Sequence, residues 1–478
     1  MTRYSTTLAG LLLLSNVVPA VVVRAAESPK TNVVFILIDD LGWKDLGCYG
    51  SEYYQTPHID RLAAEGMRFT NGYAACNVCS PTRAAIMTGK SPARLLLTQW
   101  LPSGRWSRTS KKLREGRYLG RLPLEEITIA EAMREAGYRT AFLGKWHLGT
   151  ETYYYPEHQG FDVNVAGRDY GAPGSYFYPF EGTWKIPTTG KMLHKESPLP
   201  GKEGDYLIDR LAEEAEKFIR ASADEPFFLM LSHYAVHAPL QGKPEKVARY
   251  ANVSRQQQQG KPAYAAMVES VDESVGRVMR TLRQLGLEKR TLVIFTSDNG
   301  GFAGATDNAP LRANKGSNYE GGLRVPVIVK WPGRTKPGSI SHAPVISMDF
   351  YPTILAATAQ AARPHQHADG VSLVPVLTGQ GDLQRDALYW HYPHYNQHPQ
   401  SFPSGVIRAG DWKLIENFET GELSLYNLAD DQGESTNLAN RHADRAAELH
   451  RRLNAWRRDV GADPMRPNPE YQGGADQN

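Results

Sequence analysis

Asn32-Val33-Val34-Phe35-Ile36-Leu37-Ile38, followed at once by Asp39-Asp40, is the stretch from which the rest of the chain is read. Its apolar residues are continuous rather than alternating, which suits a strand buried on both faces, as in a parallel sheet covered by helices. Runs of the same kind recur at Phe227 to Leu231, Leu292 to Thr296 and Val325 to Val329. Between them, Leu207, Ile208, Leu211, Ala215, Phe218 and Ile219 keep helical spacing, as do Met267, Val271, Val275, Val278 and Leu282 before Gly286. His58 to Glu65 reads as a short helix stopped by Gly66. Strands alternating with helices predict an α/β fold: a large mixed, mostly parallel sheet flanked by helices on both faces.

The last hundred or so residues change character. Ser404 to Ile407, Trp412 to Ile415 and Leu423 to Tyr426 are short segments separated by Gly and Asp turns, the pattern of an antiparallel meander. A helix is expected from Asn440, as N-cap, to Arg457. The division expected is a body over 30–380, a small α+β unit with an antiparallel sheet over 381–465, and a frayed polar tail over 466–478. The Arg/Lys/Ser-rich stretch 101–120 and the Gln run within 251–262 read as surface loops.

Composition narrows the class. The chain has 478 residues, enough for a large core without staples. Its 54 Lys and Arg nearly cancel 51 Asp and Glu, so it lacks the electrostatic footprint of a nucleic-acid binder. Three cysteines cannot build a disulfide scaffold. Arg3, the apolar Leu11 to Leu14 and Val17 to Val23, and Val23-Arg24-Ala25 have the form of a secretory leader cut after Ala25 or Ala26. The expectation is an exported protein, periplasmic or extracellular, with residues 1–25 as signal peptide and no membrane anchor after cleavage.

The chemistry-bearing residues follow strand ends or open helices, where open α/β sheets place their sites. The first strand ends in Asp39-Asp40 and a later one in Ser297-Asp298-Asn299-Gly300-Gly301. Between them, Cys79-Ser80-Pro81-Thr82-Arg83 leads into a short helix, with Pro81 leaving Cys79 at its N-terminus. Each has a plain alternative: a capping acid pair, a turn, an inert thiol. Together, three carboxylates and an amide oxygen from two strand ends make a hard oxygen site suited to Ca²⁺ or Mg²⁺ rather than Zn²⁺.

Cys79-x-Pro81-x-Arg83 with Thr88-Gly89 resembles the signature of the formylglycine-dependent sulfatases, of the alkaline phosphatase-like superfamily. Thr56-Pro57-His58-Ile59-Asp60-Arg61-Leu62, Gly144-Lys145-Trp146-His147-Leu148-Gly149, His237-Ala238-Pro239 and Lys315-Gly316-Ser317-Asn318-Tyr319-Glu320-Gly321-Gly322 match further blocks in the family's order. The resemblance implies that a formylglycine-generating maturation enzyme oxidises Cys79 to Cα-formylglycine. Its hydrate would attack the sulfur of a sulfate ester and pass through a covalent sulfo-enzyme. It implies Asp39, Asp40, Asp298, Asn299 and residue 79 as ligands of one Ca²⁺, with Mg²⁺ the lesser choice. Arg83 would steady the hydrate, while Lys145 and Lys315 would bind sulfate. His237 would protonate the leaving alcohol, and His147 would serve the second hydroxyl.

Rival readings are a phosphonate or phosphodiester hydrolase of the same superfamily, and a non-catalytic binder of sulfated glycans. The implied substrate is a sulfated carbohydrate, similar to those of enzymes acting on galactose or N-acetylgalactosamine sulfates. Arg105, Arg168, His391 and His394 are candidate sugar-subsite donors, and Trp100, Trp106 and Trp390 candidate stacking faces. Cys48 and Cys76 are left without a role, paired or free.

Overall fold

The computed structural model describes residues 1, 2, 5, 30–102, 109–185, 192–196 and 198–472. The opening run is strand β1 (Asn32–Ile38), buried throughout. Val33, Phe35 and Leu37 feed one apolar core and Val34, Ile36 and Ile38 another, which is why the run shows no alternation. The chain continues through β2 (Met67–Phe69), β3 (Arg139–Gly144) and β4 (Val163–Val165). A separate hairpin, β5 (Gly182–Lys185) and β6 (Met192–Lys195), precedes β7 (Phe227–Ser232), β8 (Thr291–Ser297), β9 (Val327–Lys330) and β10 (Ser339–Ser341). Apart from the hairpin these strands form one eight-stranded sheet, ordered β10-β2-β9-β8-β1-β7-β3-β4.

Only β9 runs against its neighbours. The segment between β8 and β9 stays at the carboxyl end of β8, so the chain re-enters the sheet from that end and must run backwards. Helices α1 (Pro57–Glu65), α4 (Leu207–Ala221) and α5 (Pro262–Gln284) pack on one face. Helices α2 (Cys79–Thr88), α3 (Ile129–Glu135) and α6 (Phe350–Ala357) cover the other. Helix α1 is capped from outside itself: Asp272 of α5 accepts the N–H groups of His58 at 3.2 Å and Ile59 at 2.7 Å.

A second, antiparallel sheet joins β11 (Leu388–Tyr392), β12 (Ser404–Ala409), β13 (Trp412–Asn417) and β14 (Leu423–Asn427) in chain order. One face packs Ile407, Leu414 and Leu425 against Ala446, Leu449 and Leu453 of helix α7 (Ala443–Asp459). The other packs Trp390, Val406, Ile415 and Tyr426 against Tyr73, Ala85 and Leu323, and so braces α2 through Ala85. Two expectations shift. Helix α7 begins at Ala443 rather than just after Asn440, and no side chain caps it. The segment from 466, expected to fray, starts as a pairing of Arg466–Pro467 with Leu113–Arg114, and Asn468 donates to the Lys111 carbonyl at 2.8 Å.

Except for residues 1, 2 and 5, the expected leader lies outside the described residues. Among those described, no helix is long and apolar enough to cross a membrane. Cys48, Cys76 and Cys79 are all free thiols.

Candidate active site

Register builds the site. Strands β1 and β8 run parallel with Ile38 beside Ser297, so Asp39 and Asp298 leave the sheet side by side. Strands β3 and β7 end with Gly144 beside Ser232, and Lys145 follows, its N–H on the Ser232 carbonyl at 2.7 Å. Gly144 has φ +106°, and a Cβ there would stand 1.9 Å from that carbonyl oxygen, so the approach requires glycine. Asp40, with φ 63°, turns the chain away from β1.

Cys79 opens α2, and Arg83 lies one turn on, along the same face of the helix. Arg83 is held by three hydrogen bonds: Nε donates to Oδ2 of Asp298 at 2.9 Å, and Nη1 to the Lys145 carbonyl and Ser232 Oγ, both at 2.7 Å. Lys145 Nζ lies 2.5 Å from Oδ2 of Asp39, and Lys315 Nζ 2.6 Å from Oδ1 of Asp40. Three buried carboxylates therefore face three buried cations, and the floor of the site is close to neutral.

The electrostatics are uneven. Burial raises the Asp39 carboxyl well above its ordinary value, and Asp298 and Asp40 add to the rise against Lys145 and Arg83. At Asp40 burial pushes the same way, but Lys315, His237 and Lys145 outweigh it and hold the group ionised. Burial lifts the Cys79 thiol despite Lys145 and Lys315, so the unmodified side chain carries little thiolate.

Oδ1 of Asp39 and Oδ1 of Asn299 are buried without a hydrogen-bond partner, while Asn299 Nδ2 donates to Asp40 Oδ1 at 2.8 Å. Two orphaned acceptors beside crowded carboxylates are what a hard cation would satisfy, and ligand atoms of Asp39, Cys79 and Asp298 lie within 4.8 Å of one another. The donor set fits a Ca²⁺ or Mg²⁺ ion.

Two histidines adjoin this floor. His237 gives its Nδ1–H to the Ala238 carbonyl at 2.7 Å and turns Nε2 toward Asp40 at 3.8 Å. His147 donates Nε2–H to the Leu101 carbonyl, leaving a buried, unpartnered Nδ1. Burial lowers both rings well below the ordinary histidine value; Lys315 adds to this at His237 and Lys145 at His147. Lys145 and His147 do not share an exposed strand face: β3 stops at Gly144, and both are buried. His233 turns the other way, to Ser274 at 2.9 Å.

Asp40, Cys79, His147, His237 and Lys315 line a cavity of about 570 Å³. Its walls bring in residues that the sequence did not single out: Asp169 and Tyr170, Trp184 and Lys195 of the β5–β6 hairpin, Phe302 and His398. No motif marks them, since they arrive from loops and a ribbon remote in sequence. Trp100 does line the cavity. Among the described residues, the other sugar-subsite candidates do not. His391 is turned to the Asp463 carbonyl at 2.9 Å, and His394 to Thr98 Oγ1 at 2.8 Å, both as packing residues. Arg168 lies exposed over the Tyr155 ring, and Trp390 is buried with Nε1 on the Ala74 carbonyl. Arg105 and Trp106 lie outside the described residues.

Comparison with known proteins bears on this arrangement. The sulfatase family model matches residues 31–360, and that of the C-terminal part of N-sulphoglucosamine sulphohydrolase matches 313–459. The chain is 33% identical to a sulfatase of Formosa agariphila, over 93% of this chain and 92% of that one. It is also 33% identical to the N-acetylgalactosamine-6-sulfatase of Rattus norvegicus, over 82% and 74% of the two chains. The crystal structure of Ps i-CgsB in complex with k-i-k-neocarrahexaose superposes with a TM-score of 0.75 at 30% identity, covering 90% of this chain and 93% of that one. The chain belongs to the sulfatase family and is a sulfuric ester hydrolase.

Proposed function

We propose that this protein removes sulfate from a sulfated carbohydrate of the galactose or N-acetylgalactosamine type, with residue 79 as nucleophile after conversion to Cα-formylglycine. One observation carries the reading: Cys79 sits at the buried start of α2, beside Asp39 and Asp298, at the floor of a cavity that Lys315 also lines. The named activity of the rat relative and the oligosaccharide in the Ps i-CgsB complex support a sugar as the leaving group.

Asp39, Asp40, Asp298 and Asn299 would hold one Ca²⁺. That ion and the formylglycine hydrate supply, respectively, a Lewis acid for a sulfate oxygen and an activated oxygen nucleophile. With the floor near neutral, a divalent cation held by these residues would make it positive and favour the anionic ester. Lys145 and Lys315 balance charge that develops on the transferred group. His237 keeps Nδ1–H on the Ala238 carbonyl, so Nε2 is the atom that carries a proton to the departing sugar oxygen. Entry of the negative ester beside Lys315 offsets the cations that, together with burial, hold His237 neutral. His147 would serve the second hydroxyl of residue 79 through Nδ1, because Nε2 is committed to Leu101. The leader supports export to the periplasm or beyond, where a polymeric sulfated glycan is met, and maturation by a formylglycine-generating enzyme beforehand.

The test is inorganic sulfate release from a panel of sulfated galactose and N-acetylgalactosamine oligosaccharides, with the corresponding phosphate and phosphonate esters alongside. Release of sulfate from sugars, and little or no phosphorus product, is expected. Preference for the phosphorus esters would overturn the reading.

A further inference from the structure

The hairpin β5–β6 has an inner and an outer face. Trp184 and Leu193 are register partners and, with Lys195, form the half-buried inner row lining the cavity above Cys79. Lys185, Met192 and His194 are exposed and do not line the cavity, while Thr183, also exposed, does. A lysine on the inward row of a two-stranded ribbon runs against the usual habit of that residue, which keeps its ammonium in water. Lys195 Nζ stands 6.0 Å from the Trp184 ring centre and reaches the Pro173 carbonyl at 3.5 Å. Among the described residues no carboxylate pairs with it. Burial, with Lys145 adding to it, brings its pKa down to about 8, although Asp169 pulls the other way. An ammonium so placed, desolvated and facing a cavity, gains from an anion more than a surface lysine does.

We propose that Lys195, backed by Trp184, forms a second anion subsite that receives a further sulfate or carboxylate group of the substrate, while the reacting sulfate lies at residue 79. The proposal rests on the sulfated-carbohydrate reading above and narrows it to multiply anionic oligosaccharides. Trp184 supplies a flat apolar face for the sugar ring between the two anions, and Lys195 a single charge-assisted hydrogen bond.

The test measures binding, so that turnover is not needed. Three galactan-type oligosaccharides are titrated calorimetrically into the Cys79→Ala chain: one with a single sulfate, one with a second sulfate, and one with a neighbouring uronate. The same ligands are titrated into Cys79→Ala carrying Lys195→Met, and into Cys79→Ala carrying Lys195→Arg. The doubly charged ligands should bind the Lys195 chain more tightly. Lys195→Met should weaken them by about tenfold, the scale of one hydrogen bond to a charged group, and leave the singly charged ligand unchanged. Lys195→Arg should restore the preference. A gain confined to the second sulfate or to the uronate identifies which anion the subsite takes. Equal loss for all three ligands, no loss for any, or no binding of any overturns the proposal. Charge discrimination in a protein whose wild-type form, with residue 79 shown by mass to carry the aldehyde, releases no sulfate would sink the hydrolase reading and keep the subsite. Sulfate release without charge discrimination would do the reverse.

Discussion

Lys145 Nζ lies 2.5 Å from Oδ2 of Asp39, and both side chains are completely buried. The pair ties the end of β3 to the end of β1 and joins a sulfate-binding candidate to a metal-ligand candidate. Lys145→Ala leaves Asp39 buried next to Asp298, with its 2.5 Å partner gone and Arg83 Nη2 at 4.0 Å. Breaking such a pair costs about 3–5 kcal/mol, so thermal unfolding should come markedly earlier. Added Ca²⁺ should recover part of the loss by neutralising Asp39, whereas sulfate release should stay low. Unchanged melting would contradict the placement of the charge.

The orphaned Oδ1 atoms of Asp39 and Asn299 give the candidate metal site a readout apart from activity. Chelation should abolish sulfate release and Ca²⁺ should restore it. In melting experiments Ca²⁺ at a hundredfold excess over its dissociation constant should stabilise the native chain by about 2.7 kcal/mol. Asn299→Ala should shift that stabilisation to higher Ca²⁺ concentration. An Asn299→Ala chain that responds like wild type would remove Asn299 from the ligand set.

His237 is held with Nε2 as its free nitrogen. Loss of a general acid matters most when the leaving group is a poor one. His237→Ala should therefore slow sugar sulfates by about 10²–10⁴ and aryl sulfates much less. Parallel losses on both would leave His237 a binding residue only.

Asp272 caps α1 from within α5, and burial raises its carboxyl to about 7, with the backbone N–H groups of Ile59 and His58 pulling the other way. The folded pKa lies above the unfolded value, so the native state binds more protons between the two. The contribution of Asp272 is complete below about pH 4 and is lost as pH rises through about 7. Asp272→Asn has no proton to lose. Its melting temperature should change less than that of wild type between pH 5 and 8. Identical slopes would contradict the shift.

The buried run from Asn32 to Ile38 made the parallel sheet legible, because a strand covered on both faces has no polar residues to confuse it. The same continuity hid which strand makes the sheet mixed: Val327–Lys330 reads like β1, yet is reversed by where the preceding segment returns. The chemistry was legible where backbone forces it into short motifs, as with Cys79 and Arg83 on one helix face and Asp39 and Asp40 at a strand end. The cavity walls were not. Trp184 and Lys195 come from a ribbon with weak patterning, and His391 and His394, adjacent in sequence to the right region, are spent on packing contacts that only tertiary structure assigns.

The claim on which the rest depends is that residue 79 acts only in its oxidised form. It is tested by preparing the protein with graded amounts of a formylglycine-generating activity. The aldehyde fraction in the peptide spanning residue 79 is measured by mass and plotted against the rate of sulfate release from a galactan sulfate. A straight line through the origin is expected, with Cys79→Ala at zero. A fully unmodified preparation that hydrolyses as fast as the matured one would contradict it.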